Sequence, residues 1–119
     1  MNMEFKRKLP IPAEIKEMYP ISEEGMKAKK LNDQKLYDIF TGQSDKFLLV
    51  IGPCSADRED ADVDYVTRLA KVQEAVKEKL VLVPRVYTNK PRTTGEGYKG
   101  MLHQPNPNQN PDMLKGLIA

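Results

Sequence analysis

The chain has 119 residues, enough for one compact domain and too few for two ordinary ones. Its 19 basic and 17 acidic residues leave a formal charge of +2, which gives no field that would suggest nucleic acid or a membrane surface as a partner. A single cysteine excludes an internal disulfide framework and fits a reducing compartment.

No apolar run approaches the ~18 residues of a membrane span. The first residues, Met1 to Leu9, are charged and no apolar core follows them, so a secretory leader is not expected and the cytoplasm is the expected compartment. Pro12 to Met18 predicts a short helix, with Pro12 in its first turn and Pro20 as a stop. Ser22, Glu23 and Glu24 open a longer helix that runs to about Phe40. Leu36, Ile39 and Phe40 form an apolar stripe on it, and Gly42 follows as a C-cap.

Phe47-Leu48-Leu49-Val50-Ile51 is short, continuously apolar and rich in branched residues. That pattern predicts a strand buried on both faces, as in parallel sheets. A helix is expected from Asp57 to Glu78. Acidic residues crowd its start, where the helix dipole favours them, and Val63, Val66, Leu69, Ala70, Val72 and Val76 supply its apolar side. A second buried strand is expected from Leu80 to Val86, although Pro84 lacks the N–H that a central strand position uses. Strand, helix, strand at these lengths predicts one right-handed βαβ unit with its chemistry at the carboxyl ends of the strands. Beyond Pro91, glycines and the run from Gln104 to Pro111 predict mostly loop, and the apolar residues at Leu117 and Ile118 look like the start of a further element.

Two segments fall at those strand ends: Ile51-Gly52-Pro53-Cys54-Ser55, and Arg85-Val86-Tyr87 followed by Lys90-Pro91-Arg92-Thr93-Thr94. Cys54 reads either as a small buried apolar residue or as a reactive or metal-binding thiol. The one histidine, His103, lies in the proline-rich loop, so the sequence by itself completes neither a nucleophile–base pair nor a metal site. Arg85 shares a strand face with Val81 and Val83, and an arginine there calls for an anion or a paired acid. With Lys90, Arg92 and the hydroxyls of Thr93 and Thr94 it suits a small molecule that carries phosphate and carboxylate groups; the alternative is a solvated basic loop. Gly95, Gly97 and Gly100 do not have the spacing of a nucleotide fingerprint, and a loop that closes over substrate is the better reading.

From Phe47 to Gly100 the chain resembles the class I 3-deoxy-D-arabino-heptulosonate-7-phosphate synthases, also called phospho-2-dehydro-3-deoxyheptonate aldolases. The resemblance rests on the two segments above at the family's separation, with Tyr65, Arg68, Leu69 and Gly97-Tyr98-Lys99-Gly100 extending it. It implies condensation of phosphoenolpyruvate with erythrose 4-phosphate, the first step of the shikimate route, with a divalent ion (manganese, iron, cobalt or zinc). By resemblance Cys54 is a metal ligand, Arg85 and Lys90 hold phosphoenolpyruvate, and Arg92 and Thr93 face erythrose 4-phosphate. Where many relatives place a histidine soon after the cysteine, this chain has Ala56-Asp57.

The implied fold is α/β, a partial TIM (β/α)8 barrel. Residues 1–45 form a helical N-terminal arm, and residues 46–119 form the first two parallel strands, one helix and a long active-site loop. The match covers the N-terminal third of the family, so the 119 residues alone are expected to be inactive and poorly folded. Two other readings stay open. One is a non-catalytic phosphate-binding or interaction fragment that complements or regulates a full-length synthase; the other is a phosphate-binding domain unrelated to the synthases. By resemblance, self-association through the N-terminal arm is also expected.

Overall fold

The computed structural model describes Glu4, Phe5 and residues 7–119; the expectation about a leader falls partly on Met1–Met3 and Lys6, outside the described residues. Helix α1 spans Pro12–Met18, with Pro12 in its first turn, and the Glu14 carboxylate accepts from Ile11 N at 2.8 Å. Helix α2 spans Glu23–Phe40. Ser22 caps it by accepting from Gly25 N at 3.1 Å, which satisfies one of the donors that a helix start leaves free. At its far end the Thr41 hydroxyl donates to Tyr37 O at 2.8 Å. Only part of the expected stripe is covered: Leu36 and Ile39 are half-buried, whereas Phe40 is 77% exposed.

Strand β1 (Phe47–Ile51) and strand β2 (Leu80–Pro84) pair in parallel, in register from Phe47 opposite Leu80 to Ile51 opposite Pro84. Helix α3 (Glu59–Val76) crosses between them. It starts two residues later than the acidic run suggests, because Arg58 is extended and Ala56 N is already engaged by Tyr87 O. Its covered stripe is also narrower than expected. Asp62, Tyr65, Val66, Leu69, Gln73 and Val76 are half-buried, while Val63 and Val72 are exposed.

The proline in β2 has a simple account. Phe47 N donates to Lys79 O and Arg85 N donates to Ile51 O, so odd-numbered residues of β2 face β1 and Pro84 faces away. Its missing N–H costs the ladder nothing, and β2 stops two residues short of the expected Val86, level with the end of β1 at Ile51. Helix α4 (Met113–Ile118) was not foreseen as a helix. Asp112 caps it, accepting from Leu114 N at 3.0 Å and Lys115 N at 3.2 Å, and also holds the Arg7 guanidinium of the arm.

Expected burial of β1 on both faces is not met: Phe47 is 66% exposed, and Val50 and Ile51 are exposed as well. Among the described residues the buried apolar side chains are Ala56 and Met101, both outside helices and strands. The accessible surface is 9712 Å², against about 6,500 Å² for a compact monomer of this mass. The radius of gyration is 17.8 Å, against about 13.5 Å for a compact domain of this length. A two-stranded sheet with one crossover helix packed on it leaves much of its apolar surface uncovered. No helix among the described residues is long and apolar enough to cross a membrane.

Candidate functional site

The site is built where the chain leaves the two strands. Gly52 follows β1 and packs directly on the backbone of Arg85; a Cβ at residue 52 would lie 2.8 Å from Arg85 Cβ and closer still to its carbonyl oxygen. Only glycine lets the strand tips approach so closely. From there the two segments are stitched together, first by Arg85 N to Ile51 O and then by Ala56 N to Tyr87 O, both at 2.9 Å.

The second segment is braced by the glycine loop. Lys90 N donates to Lys99 O at 2.8 Å and Leu102 N to Thr88 O at 3.0 Å. Gly100, at φ 102°, is pressed against Thr88 O in a conformation and a space that exclude a side chain. The Tyr98 hydroxyl lies 2.9 Å from Gln104 O, 3.3 Å from Ala56 O and 3.4 Å from Asp57 O. One phenol thus joins the loop after β1 to the loop that braces Lys90. Burial raises the Tyr98 pKa, with the charges of Asp57 and Asp62 adding to it, so the phenol stays protonated and able to donate.

This framework brings Cys54 and Lys90 together, with Lys90 Nζ 2.9 Å from Cys54 Sγ. Cys54 is exposed, which removes the reading of it as a buried apolar residue. Its thiol is held below the usual range, first by the Lys90 hydrogen bond and then by the Lys90 charge, against a smaller desolvation effect; Arg85 and Arg92 lower it further. The Arg85 guanidinium carbon lies over the Tyr87 ring, 4.8 Å from its centroid, a cation–π contact. Arg92 donates from Nε to Tyr98 O at 2.9 Å. Thr93 is exposed in a turn closed by Gly95 N and Arg92 O; among the described residues no hydrogen bond links it to the Cys54–Lys90 pair.

A thiol beside an ammonium, with two guanidinium groups close enough to act on it, favours an anion. The set does not fit a divalent ion by itself. Among the described residues no group of three or more His, Cys, Asp or Glu side chains is placed to hold a metal, and a catalytic site takes at least three protein ligands. His103 serves through its backbone, donating to Gly100 O and accepting from Asp112 N. No sequence pattern marks Tyr87 for a role in this site. The one signal for Tyr98 is a hydroxylated aromatic set between Gly97 and Gly100.

Residues 12–116 match the model of the DAHP synthetase I family. The chain is 38% identical over 106 residues to a phospho-2-dehydro-3-deoxyheptonate aldolase of Haemophilus influenzae, covering 89% of this chain and 29% of that protein. It is 36% identical over 114 residues to the Phe-sensitive enzyme of that name from Escherichia coli, covering 96% of this chain and 32% of that one. The solved phospho-2-dehydro-3-deoxyheptonate aldolase of Francisella tularensis superposes with a TM-score of 0.86 at 28% identity, over 98% of this chain and 34% of its own. The chain thus spans about a third of the length of these relatives. Its α/β arrangement of two parallel strands and helices corresponds to one part of that aldolase fold. By its sequence match and its fold, the chain belongs to the DAHP synthetase I family.

Proposed function

We propose that these residues form the phosphoenolpyruvate-facing part of a synthase site that condenses phosphoenolpyruvate with erythrose 4-phosphate, on the opening strands of a (β/α)8 barrel. The observation that carries this reading is the 2.9 Å approach of Lys90 Nζ to Cys54 Sγ at two adjacent strand tips, with Arg85 and Arg92 acting on the same sulfur. Arg85 and Lys90 pair with the phosphate and carboxylate of phosphoenolpyruvate, guanidinium as a planar fork and ammonium as a point charge. Arg92 and Thr93 take the erythrose 4-phosphate side. The cations offset repulsion between two phosphorylated substrates and hold them in position for attack. Among the described residues the donors do not complete a divalent-ion site.

Catalysis in this reading needs more polypeptide than these 119 residues supply. The excess exposed surface, 9712 Å² where about 6,500 Å² is expected, supports docking of the remaining barrel strands over the sheet. The cytoplasm is the compartment we propose, supported by the single cysteine, and cell fractionation would check it. The functional test is an assay of the purified chain with both substrates and added manganese, alone and mixed with a polypeptide carrying the other two thirds of the Haemophilus influenzae relative. Turnover is expected only in the mixture, and lost there with Lys90→Met. Turnover by the chain alone, or a mixture indifferent to Lys90→Met, overturns the reading.

A further inference from the structure

We infer that Tyr98 is a positioning residue for Arg92, and that its carbonyl turns the guanidinium so that a phosphate meets it end-on. The inference rests on the role proposed above for Arg92 toward a phosphorylated substrate. Arginine offers an oxyanion two bidentate faces: a side face of Nε–H with one terminal nitrogen, and an end face of the two terminal nitrogens. Arg92 Nε donates to Tyr98 O at 2.9 Å, so the side face is occupied and the end face is left. Arg92 is exposed, and among the described residues it belongs to no salt bridge. Its charge is therefore open to an anion.

The Tyr98 carbonyl is held in place from both sides. The Tyr98 hydroxyl is anchored on Gln104 O at 2.9 Å, and the next carbonyl, Lys99 O, accepts from Lys90 N at 2.8 Å. Residues 98 and 99 thus serve one short segment together, one carbonyl taking the Arg92 side chain and the other the Lys90 backbone. Gly97 lets the guanidinium lie along this backbone. Its φ of 87° strains any side chain, and a Cβ there would sit 3.7 Å from Arg92 Nε and 3.9 Å from Cζ. An exposed arginine otherwise samples many rotamers, and a ligand that binds it must order it. The Tyr98 contact does part of that ordering before the ligand arrives.

The test follows the Arg92 side-chain N–H resonances of the isotopically labelled chain as inorganic phosphate is added. In the wild type, Nε–H is expected to exchange slowly and to stay protected while phosphate shifts the terminal nitrogens. In Tyr98→Phe, Nε–H is expected to exchange about tenfold faster, the upper range of a lost hydrogen bond, and to shift with phosphate. Phosphate affinity should fall about two- to tenfold, the cost of ordering one freed side chain. A merely structural Tyr98 would lower stability without bringing Nε–H into the phosphate response. Arg92→Lys leaves the loop intact and keeps the charge but lacks the fork, and should bind phosphate about tenfold more weakly. If Tyr98→Phe does not fold, the wild-type signature and Arg92→Lys decide the matter. Fast Nε–H exchange in the wild type, a phosphate shift at its Nε–H, or no phosphate response at Arg92 overturns the inference. So does unchanged affinity in Tyr98→Phe or in Arg92→Lys. Phosphoenolpyruvate added to a second sample separates this from the proposed function: shifts retained at Cys54 and Lys90 confine the failure to Tyr98, and their absence removes the catalytic reading.

Discussion

Substituting Gly52 by alanine tests the packing on which the site stands. The new Cβ would fall 2.8 Å from Arg85 Cβ, where ordinary contact begins at 3.4 Å, and closer still to the Arg85 carbonyl oxygen. Relieving that overlap parts the strand tips by about 1 Å. The Arg85 N to Ile51 O bond, now 2.9 Å, then lengthens past the ~3.5 Å at which it ceases to be one. Overpacking costs about 1–3 kcal/mol and the lost bond about 0.5–1.5 kcal/mol, so a destabilisation of about 1.5–4.5 kcal/mol is expected. Gly42→Ala is the matched control. Gly42 has φ 73° and open space around it, so alanine there carries only the left-handed backbone cost of about 1–2 kcal/mol. Urea unfolding followed by circular dichroism gives the two midpoints, and amide exchange at Arg85 reports the broken bond directly. If Gly52→Ala is no worse than Gly42→Ala, or leaves Arg85 exchange unchanged, the strand tips are not packed as described.

Lys90→Met is expected to raise the Cys54 thiol pKa towards the ordinary ~8.5, read from thiolate absorbance against pH, because the Lys90 hydrogen bond is the largest cause of its lowering. The sign follows from a depressed acid: the favourable contact is present above the unfolded pKa and is lost as pH falls through the folded one. An unmoved titration in Lys90→Met would exclude the pairing. Tyr98→Phe removes the hydroxyl that donates to Gln104 O and has Ala56 O and Asp57 O within reach as alternative acceptors. It should cost about 0.5–1.5 kcal/mol in urea unfolding and speed exchange of the Lys90 amide; a variant as stable and as protected as wild type would count against that brace. Asp112→Ala removes both the α4 cap and the Arg7 contact, and helical ellipticity should fall. Its carboxyl is held low by the Lys115 amide and by Arg7, so the wild type should lose the same ellipticity as pH drops through the depressed value, and Asp112→Ala should show no such step.

Parts of this fold were legible in the residues, and the reasons are specific. Phe47 to Ile51 is a five-residue apolar run that fits a strand, and the acidic start and valine spacing of the next segment fit a helix. Together they give the parallel pair, and the pair places Cys54 and Lys90 at neighbouring tips. The exposure of Phe47 and Val50 was not legible, because apolar runs report what a strand needs and not whether the covering layer is at hand. The bracing role of Tyr98 was missed because its partners are backbone carbonyls, which every residue carries and no motif marks. Asp112 could have been found: an acidic residue after Pro111 and before an apolar stretch is an N-cap signal.

In the proposed site Cys54, Arg85 and Lys90 converge on one anion at adjoining strand tips. Titration of phosphoenolpyruvate into the isotopically labelled chain, followed by its amide resonances, tests that convergence. Saturable shifts are expected at Cys54, Ser55 and residues 85–93, abolished together by Lys90→Met. Shifts that map to the α1–α2 arm, or an unchanged response in Lys90→Met, would contradict it.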